Sequence, residues 1–85
     1  FQERGVFGKA ERLLRRALEG VERVHGKDHP DTLGAVNHLA TLYQHRGEYG
    51  RAEPLFRRAL DGKEKALGRD HLSTLAFANN LALLY

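Results

Sequence analysis

The chain contains no cysteine. Disulfides, thiolate metal sites and a cysteine nucleophile are therefore excluded. Ser73 is the sole serine, and it stands at a turn position rather than beside a histidine base. No glycine-rich phosphate loop occurs, because the nine glycines fall at helix ends and repeat junctions. There is no His-Glu-x-x-His pair and no carboxylate cluster to hold a cation. Catalysis, a metal and a cofactor are accordingly not expected. No apolar run approaches the roughly 20 residues that span a bilayer, and no signal-peptide pattern opens the chain. With a cysteine-free composition, this fits a reducing, cytoplasmic setting. The first residue is Phe1 rather than Met, which reads as a piece of a longer protein. An excess of one charge sign is also nearly missing. Fourteen basic residues face 11 acidic ones, for a net charge of +3, and the two signs are mixed along the chain. A nucleic-acid binder more often carries one dense basic stripe, so nucleic acid is not the expected partner.

What the chain does have is a copy of itself. Shifted by 42 residues, it aligns without a gap, and more than half of the aligned positions are identical. Gly8-Lys9-Ala10-Glu11 meets Gly50-Arg51-Ala52-Glu53. Leu13, Arg15, Arg16, Ala17 and Leu18 meet Leu55, Arg57, Arg58, Ala59 and Leu60. Further on, Asp28, His29, Thr32 and Leu33 meet Asp70, His71, Thr74 and Leu75. Asn37, Leu39, Ala40 and Tyr43 meet Asn79, Leu81, Ala82 and Tyr85. A period of this size signals a solenoid, a propeller or an array.

Within one period the pattern is helical. Ala10, Leu13, Leu14, Ala17, Leu18, Val21 and Val24 recur at intervals of three and four, which places them on one face. Arginine and glutamate take the opposite face. Gly26 follows as a left-handed helix stop. Asp28-His29-Pro30-Asp31 then opens a new helix, with Pro30 in its first turn and either Asp28 or His29 as its cap. The pattern predicts the end of a first helix at 1–5, a second helix at 7–25, a full pair at 30–46 and 49–67, and a lone first helix at 72–85. Pro54 is read as lying in the opening turn of the helix at 49–67. The expected fold is all-α, built from antiparallel helix pairs joined by short turns. Small residues (Ala40, Ala52, Ala59) recur at fixed offsets from large ones (Leu39, Tyr43, Phe56), which lets two helices approach closely.

Val36, Leu39, Ala40 and Tyr43, followed by Ala52, Phe56 and Ala59, resemble the two helices of the tetratricopeptide repeat. The usual period of that family is about 34 residues. The longer form here, with Leu67-Gly68-Arg69-Asp70-His71 and Asn79 through Tyr85, resembles the kinesin-light-chain type. Similar repeats occur in arrays attached to NOD-like signalling ATPases. The resemblance covers essentially the whole chain and implies a right-handed solenoid that binds other proteins. Gly20 and Gly62 depart from helical expectation, each costing about 1 kcal/mol relative to Ala.

The resemblance also implies a site. Asn37 and Asn79 match asparagines that line the concave groove of such repeats and hydrogen-bond an extended peptide. An amide can donate and accept at once, as a strand neighbour does. Thr41, Gln44 and, less directly, His45 would share that face. The competing reading is that these asparagines bond only between neighbouring helices. Lys9 and Arg51 are candidates for contact with an acidic partner. The arginine pairs Arg15-Arg16 and Arg57-Arg58 read as a solvated face paired with nearby carboxylates. His25 and His29 are four apart, but Gly26 and Pro30 break the helix between them. A rival function is structural, with open apolar ends at Leu81, Leu84 and Tyr85 stacking end to end as a homo-oligomer, or with the repeats regulating a parent signalling protein.

Overall fold

The apolar period and its interruptions produce four helices in the computed structural model, which describes the backbone of residues 2–84 and the side chains of residues 5–84. They are α1 (Gln2–His25), α2 (Pro30–His45), α3 (Tyr49–Leu67) and α4 (Leu72–Ala82). The described residues contain no strand, and no helix among them is long and apolar enough to cross a membrane. The turns after α1, α2 and α3 each turn on a glycine with positive φ: Gly26 at 88°, Gly47 at 78° and Gly68 at 88°. Only a residue without Cβ takes that conformation cheaply. The start of α2 is capped by His29, whose Nδ1 accepts the Asp31 backbone N–H at 3.1 Å. His71 does the same for Ser73 at the start of α4, also at 3.1 Å. Of the two candidates for the cap, the histidine takes the role.

Two expectations are corrected. The break between a first helix at 1–5 and a second at 7–25 is absent, because α1 runs unbroken through Gly5. The matching turn at Arg46–Glu48 survives because the Tyr43 carbonyl accepts the backbone N–H groups of both Arg46 and Glu48, and because α2 packs back onto α3. Phe1 lies outside the described residues. Pro54 sits inside α3 rather than in its opening turn. It removes one bond to the carbonyl of Gly50, but both residues are exposed and water can serve that oxygen.

The helices form two layers in a slab of 43 × 33 × 17 Å. One layer holds α1 and α3, the other α2 and α4. In chain order each helix packs on its neighbour, and α2 against α3 is the most extensive contact. Between these two lie Val36, Ala40, Tyr43, Ala52, Phe56 and Ala59, all essentially free of solvent contact. The alanines provide the close approach that the small-large pattern implies. Gly62 is explained here. A Cβ placed on it would lie 2.5 Å from Cδ2 of Leu33 and 2.8 Å from Cδ1, so the glycine leaves a notch that the leucine fills.

Candidate functional site

Asn37, Thr41 and Gln44 stand one helical turn apart on α2, in the layer shared with α4. Thr41 is partly spent, since its hydroxyl donates to the Asn37 carbonyl at 2.9 Å. Asn37 does not meet Asn79. Its Oδ1 accepts from Nδ2 of Asn80 at 3.1 Å, which ties α2 to α4. Asn79 is exposed, on the side of α4 turned away from the rest of the chain. Sequence comparison hid Asn80 because its counterpart in the first copy is His38. The contact spans 43 positions rather than 42, so it joins residues that are not counterparts in the two copies. That bond uses the Asn37 oxygen and one Asn80 amide hydrogen, and so does not engage the Asn37 amide hydrogens, a donor set, or the Asn80 carbonyl oxygen, an acceptor. His45 is exposed on the last turn of α2.

In the other layer the charged groups bind one another. The Tyr43 hydroxyl donates to Oε2 of Glu11 at 2.5 Å and accepts from Nη2 of Arg15 at 2.6 Å. Arg51 lies 3.7 Å from Glu11 and 3.6 Å from Glu48, so this candidate for an acidic partner already faces two carboxylates of its own chain. The Tyr43 hydrogen bond, aided by the charges of Arg15 and Arg51, holds the Glu11 carboxyl below the usual carboxylate range. Burial, followed by the bond to Glu11, pushes the Tyr43 hydroxyl up. Arg58 reaches Glu22 at 2.7 Å and so links α3 to α1. The arginine pairs are thus partly structural, with Arg15 and Arg57 serving i,i+4 partners and Arg58 a neighbouring helix. Lys9 is exposed on α1, beside Arg12, Leu13 and Arg16. It lies in the layer opposite the asparagines.

The open ends differ from expectation. Leu81 and Leu84 do not face outward but pack on the core with Phe77. Residues 74, 77 and 81 share the stripe of α4 that meets α3, and Leu84 just beyond the helix packs on the same core. The exposed stripe is instead Leu72, Leu75, Ala76, Asn79 and Leu83, with Leu72 81% and Leu83 66% exposed. Tyr85 lies outside the described residues.

The turn between α1 and α2 does bring His25 and His29 together, contrary to the expectation from their spacing. Their rings stack at 4.1 Å and 18°, with Asp31 beside them. Parallel stacked rings aim their in-plane lone pairs along separate planes, and Nδ1 of His29 is already an acceptor for the backbone. Within this group His29 serves as the cap of α2.

A search of curated proteins finds no match. A family profile described as tetratricopeptide repeat matches residues 1–65 and, in a second register, 32–85, which together cover the whole chain. Two matches offset along one chain agree with the repetition of α1 and α2 in α3 and α4. The chain belongs to the tetratricopeptide repeat family, whose repeats generally mediate protein–protein interaction.

Proposed function

We propose that the chain binds an extended peptide or partner segment along the layer of α2 and α4, in the manner of the kinesin-light-chain type of repeat. The observation that carries this reading is the Asn37–Asn80 pair. It brings two amide side chains together, and an amide supplies both a donor and an acceptor, which is what the edge of an extended backbone requires. Thr41, Gln44 and Asn79 extend the polar surface along the same layer. Lys9 and Arg51 belong to the opposite layer, so a ligand seated on the asparagines gains no acidic preference from them. Main-chain recognition with little charge selectivity is the specificity to expect.

The test is selection of unstructured peptides from a displayed random library against the chain, followed by titration of the winners. Asn37→Ala combined with Asn80→Ala should weaken binding about tenfold or more, since each bond to a peptide backbone contributes on the order of 1 kcal/mol. Peptides that bind the double variant as tightly as the parent would refute the assignment.

A further inference from the structure

α1 and α3 share a layer and both pack on α2, but their backbones scarcely approach each other. Long side chains join them instead, Arg51 to Glu11 at 3.7 Å and Arg58 to Glu22 at 2.7 Å. Between these two bridges lies a groove of about 610 Å³. Leu18 of α1, Leu39 of α2 and Leu55 of α3 give it an apolar floor. It is bounded by α1, α2 and α3, so the outer faces of α1 and α4 take no part in it.

The charges on its rim are not equivalent. Arg15 is held by Glu11 and the Tyr43 hydroxyl, Arg51 by Glu11 and Glu48, and Glu22 by Arg58. Glu19 is exposed, and among the described residues it is the one charged group of the lining with no ion pair. A second acceptor stands open nearby. Gly50 and Pro54 both line the groove, and Pro54 has no N–H for the Gly50 carbonyl four residues before it. An anion at the arginines would have to displace Glu11, whose carboxyl is held below the usual range by Tyr43, Arg15 and Arg51. A cation at Glu19 displaces nothing.

We propose that this groove docks a partner protein segment presenting a leucine-sized apolar side chain beside a lysine or arginine. The apolar group rests on Leu18, Leu39 and Leu55, and the cation meets Glu19. An N–H of the segment serves the Gly50 carbonyl. Long basic side chains suit the place, because their methylene stems lie on apolar surface while the head stays in water. From Arg15 to Glu22 is two turns of α1, roughly 10 Å. Side chains one turn apart on a helix, or two residues apart on a strand, fall within that span. The cation at an exposed rim contributes selectivity more than affinity. The groove lies in the layer opposite Asn37 and Asn80, so this inference goes beyond the peptide reading and stands without it.

The experiment is selection from a displayed library of random peptides against the chain. Each recovered peptide is then titrated against Glu19→Lys, Glu19→Gln, Gly50→Leu and the Asn37→Ala/Asn80→Ala variant. A set of peptides that pair an apolar residue with a lysine or arginine is expected. Glu19→Lys should weaken these about five- to tenfold and Glu19→Gln about two- to threefold, since exposed ion pairs are modest. Changing the cation of such a peptide to glutamate should restore its binding to the Glu19→Lys variant. Gly50→Leu adds a side chain where a Cβ meets nothing within 4 Å, so helix content by circular dichroism should be kept while the groove is obstructed. Its binding should fall as far as that of Glu19→Lys. Peptides weakened only by loss of the two asparagines belong to the layer of α2 and α4. If every recovered peptide is of that kind, if none is recovered, or if none responds to the Glu19 and Gly50 variants at unchanged helix content, the proposal is overturned. Peptides that respond to those variants and not to loss of the asparagines would leave it standing and count against the peptide reading alone.

Discussion

Gly20 and Gly62 occupy the same place in two copies of one repeat, yet they face opposite surroundings. At Gly62 a methyl group would press into Leu33, whose side chain is enclosed on all sides. At Gly20 it would meet nothing. Helix propensity favours alanine at both sites by about 1 kcal/mol, while overpacking costs about 1–3 kcal/mol at the first alone. Gly20→Ala should therefore raise the midpoint of thermal unfolding by roughly 4–8 °C, since about 1 kcal/mol has that effect in a domain of this size. Gly62→Ala should leave it unchanged or lower it. Equal rises in both variants would mean that the notch is not a tight fit. Sequence alone shows only that the two glycines recur. Their reason lies in a neighbour some 29 residues away, which no local pattern exposes. Asn80 is the parallel case in the candidate site. The resemblance proposes Asn37, but its partner Asn80 is set by how α2 packs beside α4 and not by the alignment of copies.

At the level of the helices, α2 and α3 were legible to within a residue or so because capping chemistry and a glycine stop frame them. α1 was not, since whether a chain turns at Gly5 depends on what lies ready to be packed against. The outward face of α4 was misplaced for a related reason. Its apolar residues surround much of the helix, and only contact with α3 decides which of them are inner. The histidine caps are a feature that the repeat motif pointed to without resolving. Each imidazole meets an otherwise unpaired backbone donor in the first turn. His29→Ala and His71→Ala should each destabilise the fold by about 1 kcal/mol, while Asn or Asp at the same positions should retain most of that stability. Urea unfolding of the four variants checks this. Alanine variants as stable as the parent would reduce the caps to incidental contacts.

For the molecule as a whole, stability follows position in the stack. α2 and α3 each bury two sides, whereas α1 and α4 each bury one. Solenoid stability is a sum of units and nearest-neighbour interfaces. Amide hydrogen exchange should therefore be slowest in α2 and α3 and faster by at least an order of magnitude in α4, which is both short and one-sided. Uniform protection across all four helices, measured at a concentration where the chain is monomeric, would mean that the stack melts as one unit.

The notch at Gly62 has a mechanical consequence. Packed helices commonly accommodate motion by sliding along one another. Leu33 can sit only where a Cβ is missing, and displacement by one turn in either direction would set it against Ala59 or Ala66, or against the longer side chains beside them. The α2–α3 pair therefore has one permitted registration and resists shear. Bending of the array is left to the turns at Gly26, Gly47 and Gly68, so the repeat behaves as a chain of rigid plates joined by hinges rather than as a uniformly elastic rod.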